Sequence, residues 1–149
     1  MNGKRGETLA GTQAIETAVY SILKNDSVLD GLASIYKGAK RPTGAENPVV
    51  TIGSGDIRPG GGEGMHICEI TVTVYTDILS NRMADNETHG SILSQVGELL
   101  ADTVITLENA QCLPLRKTGN TGIEWKSVHD AETYQRITFE LTFIDFSQA

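Results

Sequence analysis

The sequence predicts an α+β fold, an antiparallel or mixed β-sheet with two main α-helices packed on one face. Three observations carry that prediction. Two long segments, His66 to Asp77 and Glu132 to about Phe146, alternate apolar and polar residues with a period of two, the signature of strands with one buried face. Two others, about Thr8 to Lys24 and Met83 to about Asp102, repeat their apolar residues at helical spacing. A doubly wound parallel sheet would need uninterrupted apolar strands, and the long strands here alternate instead.

Taken in order, the first helix carries Ala14, Ile15, Ala18, Val19, Ile22 and Leu23 on its apolar side, and Asn25-Asp26-Ser27 stops it. Val28 to Leu32 is a short apolar piece expected to pack the helix end. Ile35 to Lys40 forms a short strand closed by Arg41-Pro42. Pro48-Val49-Val50-Thr51-Ile52 forms another, with proline at the first position, where a missing N–H is tolerated. Residues 53–64 are so rich in glycine that ordering them is entropically costly, and a long mobile loop is expected there. In the following strand His66, Cys68, Ile70, Val72 and Val74 face the core, and Glu69, Thr71, Thr73 and Tyr75 face away. The second helix buries Ile92, Leu93, Val96, Leu99 and Leu100. A hairpin is then expected around Gly119-Asn120-Thr121-Gly122, with Ile123 and Trp125 in its second strand. The final strand turns Ile137, Phe139, Leu141 and Phe143 inward, and Tyr134, Arg136, Thr138, Glu140 and Thr142 outward.

The chain is 149 residues long, which predicts one domain spanning 1–149, with 1–7 as a flexible N-terminus. No stretch approaches the ~20 apolar residues of a membrane span, and Met1 to Glu7 lacks a signal-peptide core, so synthesis and retention in a cytosol, without membrane contact, is expected. Cys68 and Cys112 are therefore read as free thiols. The net charge is −7, and its 12 lysines and arginines are scattered, which disfavours tight binding to a phosphate backbone.

The search for chemistry yields no catalytic, cofactor or metal residues. The glycine-rich segment joins two strands and has no lysine, unlike a phosphate-binding loop. His66, His89 and His129 stand on different elements; His89 reads as a packing histidine and His129-Asp130 as a surface turn. Asp85 and Glu87 suit the first helical turn through its dipole. An enzyme would be indicated only if folding gathered His66, His89 and Asp77 around a metal.

What remains is the helix-free sheet face, where Thr71, Thr73, Thr138, Glu140 and Thr142 join Tyr75, Tyr134 and Ile144. The bland interpretation is a solvated face. The functional one is a contact surface for neighbouring subunits, with few charges to desolvate. Candidate contacts are Thr71, Thr73, Tyr75, Tyr134, Thr138 and Glu140, together with the basic residues Lys40, Arg41, Arg58, Arg116 and Lys117, which would meet acidic partners.

The order of these segments resembles the tail-terminator (tail-completion) proteins of long-tailed phages, the lambda-type group. The resemblance rests on the helix Ala14–Lys24 followed by Val28-Leu29-Asp30-Gly31-Leu32, then Ile35-Tyr36 and Asn47-Pro48-Val49-Val50-Thr51-Ile52. It continues through Ile70 to Tyr75, the helix with Ile92, Val96, Leu99 and Leu100, and the closing run Tyr134 to Phe143. It implies a virion structural protein, assembled in the bacterial cytoplasm, whose ring, typically a hexamer, caps the finished tail tube. Such a ring ends tube polymerisation at the head–tail junction and joins the tail to the head connector. The implied partners are further copies of itself, the tail-tube protein, the head-completion or connector protein, and viral DNA sliding through the lumen without specific binding. A neck or head-completion protein of the same virion is the alternative, and a small metal- or ligand-binding enzyme a more distant one.

Overall fold

The computed structural model describes residues 11–77, 83–122, 124–125 and 133–146. The expected flexible terminus 1–7, Ile123 and the His129-Asp130 turn lie outside them. Helix α1 (Thr12–Lys24) forms because Ile15, Val19 and Leu23 recur every four residues, and all three are fully buried. Lys24 in its last turn suits the helix dipole and pairs with Asp30 at 2.8 Å, which raises the Lys24 pKa. The stop at Asn25–Ser27 also starts a second helix, α2 (Ser27–Leu32). The Asp26 carboxylate caps it by accepting from the Leu29 N–H at 2.9 Å. The expected apolar piece at Val28 to Leu32 is thus helical, with Leu29 buried and Val28 exposed.

Strands β1 (Ser34–Lys37) and β2 (Val49–Ser54) run parallel, and the sheet is therefore mixed. Antiparallel to β2 runs β4 (Met65–Thr76), and β4 pairs along its whole length with β8 (Thr133–Asp145). Helix α3 (Met83–Leu100) connects to the remaining strands, β5 (Ala110–Cys112), β6 (Arg116–Asn120) and β7 (Glu124–Trp125), all of which pair with β8. The central order is β1-β2-β4-β8-β5.

The core lies between one sheet face and the helices. Cys68, Ile70, Val72 and Val74 of β4 and Ile137, Phe139, Leu141 and Phe143 of β8 pack against Ile15, Val19 and Leu23 of α1 and Ile92, Val96 and Leu100 of α3. Each such aliphatic or aromatic side chain contributes roughly 1.5–3 kcal/mol by leaving water. Glu16 pins α1 to the sheet by accepting from the Ser54 N–H and hydroxyl at 3.1 and 2.8 Å. Gln95 ties α3 to α2 by donating to Asp26 at 3.0 Å.

Two expectations need correction. Residues 53–64 are not loop throughout: Gly53 and Ser54 complete β2, and Arg58–Pro59 form a short strand, β3, against Ile67 and His66 of β4. Ile57, packed against the core, anchors this segment, which the glycine count alone obscured. Nor is there a hairpin at Gly119–Gly122. Strands β6 and β7 lie end to end along β8, because Thr121 keeps the ladder going: its N–H donates to the Arg136 carbonyl and its hydroxyl accepts from the Arg136 N–H. Asn120 accepts from the Gly122 N–H at 3.0 Å, and Gly122 takes a positive φ, so the chain jogs without reversing.

One polar chain runs through the apolar interior. The Gly122 N–H fixes Asn120 Oδ1 as an acceptor, so Gln135 presents its amide NH2 to Asn120 and its carbonyl to His89. His89 then donates from Nε2 at 2.8 Å and accepts at Nδ1 from the Thr76 hydroxyl at 2.8 Å. The Thr133 hydroxyl donates to the Thr76 carbonyl at 3.2 Å. Along this chain each buried side-chain group has a partner.

Candidate assembly surface

Among the described residues the second sheet face carries no helix, and strand register arranges its side chains in rows. Across β4 and β8 the pairs are Tyr75 with Tyr134, Thr73 with Arg136, Thr71 with Thr138, Glu69 with Glu140, Ile67 with Thr142, and Met65 with Ile144. The face therefore changes character from an aromatic, basic end, through a charged middle, to an apolar end.

At the first end the segment after β1 folds over the sheet. Gly53 makes this approach close, since a Cβ there would lie 2.9 Å from that of Ala39. The Arg41 guanidinium sits 5.9 Å from the Tyr75 ring centroid and donates to Asn47 at 2.7 Å, and Asn47 donates to Asp77. Tyr75 and Tyr134 meet at 6.0 Å between centroids, and Arg136 stands 5.6 Å from the Tyr134 ring, held by a bidentate pairing with Glu124 at 2.8–3.2 Å. Residues 39–44 and Tyr75 enclose an open pocket of about 400 Å³ with Lys40 exposed on its rim. The fold thus gathers Lys40, Arg41, Tyr75 and Tyr134, four contact candidates from three separate segments.

In the middle, Glu69 and Glu140 face each other directly, an arrangement that costs a few tenths of a kcal/mol or more unless cations relieve it. Arg116 pairs with Glu140 at 2.7 Å and Arg58 at 3.6 Å. Thr118 and Thr138 share a hydrogen bond at 3.0 Å, and Thr71 lies beside Thr138. Arg58, Thr71, Arg116, Thr138 and Glu140 therefore share one patch.

Two candidates are placed elsewhere. Thr73, expected to be exposed, is only 7% accessible, because the 38–47 segment closes over the β2 side of the face. Its neighbour on β2, Thr51, is 1% accessible, with a hydroxyl that has no hydrogen-bond partner among the described residues. Lys117 stands opposite the inward-facing Phe139, so it belongs to the helix side of the sheet edge and not to this face. Sequence reasoning omitted Glu69, Arg136 and Glu124 as site residues; Glu69 and Arg136 already had the outward phase of their strands. Leu113, whose N–H donates to the Thr142 carbonyl, is 48% exposed at the apolar end, and nothing in its sequence setting signals that.

The constellation that would have indicated an enzyme does not assemble. His66 stacks on Phe143 at 5.3 Å between centroids, while His89 sits by Thr76, ten strand residues from His66 and so about 33 Å away along β4. Among the described residues no group of three or more His, Cys, Asp or Glu side chains is disposed to hold a metal ion, and no helix is long and apolar enough to cross a membrane. Both cysteines are free thiols. Burial first, then the carboxylates of Glu16, Asp56 and Glu69, pushes the Cys68 thiol up to about 11, and burial raises Cys112 as well.

Comparison with solved structures gives the fold a counterpart. A chain of the structure titled "Virion of native gene transfer agent (GTA) particle" superposes with a TM-score of 0.71 over 91% of this chain and 98% of that one. At 18% identity the likeness is one of fold. No protein-family model matches the sequence, and no curated protein does.

Proposed function

We propose that this chain is a structural subunit of a phage-like virion and that it acts as a tail terminator, a ring of copies capping the tail tube and joining it to the head connector. The observation that carries the reading is the fold match to a chain of a virion particle over nearly the full length of both molecules. Agreement over so much of both chains makes that counterpart comparable as a whole and not through one shared motif. The sheet supports it physically. Its helix-free face combines aromatic, charged and apolar groups in a shallow surface, which suits burial against another protein better than turnover of a small molecule. A subunit with net charge −7 would line a channel that repels the phosphate backbone and lets DNA slide.

The test is capping. Added to polymerising tail-tube protein, the purified chain should stop tube growth at a defined length in electron micrographs, and light scattering should give the mass of a ring. Binding to isolated head connectors with no effect on tube length would replace the terminator reading with a neck or head-completion role. A strictly monomeric protein that touches neither would defeat both.

A further inference from the structure

Subunits of a ring must meet through two different patches, because a rotation that closes a ring uses a heterologous contact. The first patch is the helix-free sheet face. The second is the solvent ridge of α3, and its sequence is unusual: Met83–Leu100 contains no lysine or arginine. Glu87, Ser91, Ser94 and Glu98 recur along the ridge at helical spacing and are all exposed. Neither glutamate has an ion-pair partner among the described residues. Lys40 on the sheet face likewise has none among the described residues.

Both patches run in the same direction. Helix α3 starts at the aromatic end of the sheet, where His89 bonds Thr76, and finishes beside the charged middle, where the Asp102 N–H donates to the Leu115 carbonyl. Along the ridge the order is therefore Glu87, then Glu98, and the chain just past the helix end continues with the exposed Asp102 and Val104, the latter 58% exposed. Along the sheet face it is Lys40 with Arg41, then Arg58 with Arg116, then Leu113 and Ile67. Glu87 to the helix end at Leu100 spans about 20 Å at 1.5 Å per helical residue. Tyr75 to Ile67 spans about 26 Å at 3.3 Å per strand residue. The two series are similar in length and run in the same direction, and Lys40 complements Glu87 in charge, while Arg58 and Arg116 can reach an incoming carboxylate only by sharing it with Glu140.

From this match, and resting on the ring reading above, we propose that neighbouring copies stack face to back and in parallel. The sheet face of one subunit takes the α3 ridge of the next, with Lys40 opposite Glu87, the Arg58–Arg116 pair opposite Glu98, and Leu113 opposite Val104. An antiparallel stack would set Lys40 against Val104 and leave the glutamates facing an apolar surface. Parallel stacking also points every subunit the same way along the ring axis, so all present one end to the tube and the other to the head.

The experiment is a charge swap on the full-length protein, read by sedimentation equilibrium. Lys40→Glu and Glu87→Lys should each weaken self-association about tenfold by setting like charges together. The double variant should recover to within about threefold of the wild type. A zero-length carbodiimide cross-link should join Lys40 of one copy to Glu87 of another. Lys37→Glu, at an exposed cation on the edge strand β1 beside α1 and so off both patches, should leave association unchanged. A ring-forming wild type whose single variants are silent, or whose double variant shows no recovery, overturns the face-to-back contact and leaves the ring intact. A wild type that stays monomeric at every concentration overturns the ring itself.

Discussion

Replacing His89 with leucine tests whether the buried polar chain holds α3 to the sheet. The imidazole is 4% accessible and makes two 2.8 Å hydrogen bonds, one to the Thr76 hydroxyl and one to the Gln135 carbonyl. Leucine fills similar space but offers neither bond. The Gln135 carbonyl, 7% accessible as a residue, is left without its donor, while the Thr76 hydroxyl keeps only a 3.4 Å contact with Thr133. An orphaned buried polar group costs about 1–3 kcal/mol, and one and a half such groups give a loss of about 2–4 kcal/mol. For a chain of this size that corresponds to a fall in Tm of roughly 5–15 °C. Urea unfolding of His89→Leu, Gln135→Leu and the double variant forms a thermodynamic cycle. Because each single change strands the partner of the other, the double variant should be at least about 1 kcal/mol more stable than the sum predicts. A His89→Leu midpoint within about 0.5 kcal/mol of the wild type, or simple additivity, would show that the network carries no such load.

Other consequences are as direct. Gly53→Val should force Ala39 off the sheet, costing about 1–3 kcal/mol from overpacking and accelerating tryptic cleavage after Lys40; an unchanged cleavage rate would mean the 38–47 segment is held some other way. In native protein at pH 8, Cys68 should resist a thiol reagent that reacts with Cys112, and become available only on unfolding; equal rates would contradict its burial. Because folding raises the Cys68 pKa, its stabilising effect is complete below about pH 9 and declines toward about pH 11, as the unfolded chain ionises first. Cys68→Ala should flatten that alkaline decline in denaturant titrations.

Much of this fold was legible in the residues, and the reason is periodicity. Burial of one face imposes a repeat of two on β4 and β8 and of 3.6 on α1 and α3, so those elements and their inward residues could be read directly. Even the buried network left a trace, since Thr133 and Gln135 share the inward phase of Ile137 and Phe139, and His89 shares the stripe of Ile92 and Val96. Pairing was not legible. A two-residue strand such as β3 or β7 has no period to detect, and only the length of β8 decides that β5, β6 and β7 all dock along it. The sequence by itself determined which side chains alternate outward. Tertiary structure decided which of them are free: it buried Thr73 under a loop, turned Lys117 to the opposite side, and brought Lys40 and Arg41 to Tyr75 from over 30 positions away. Exposure on a sheet depends on what crosses over it, and crossing is a property of the whole chain.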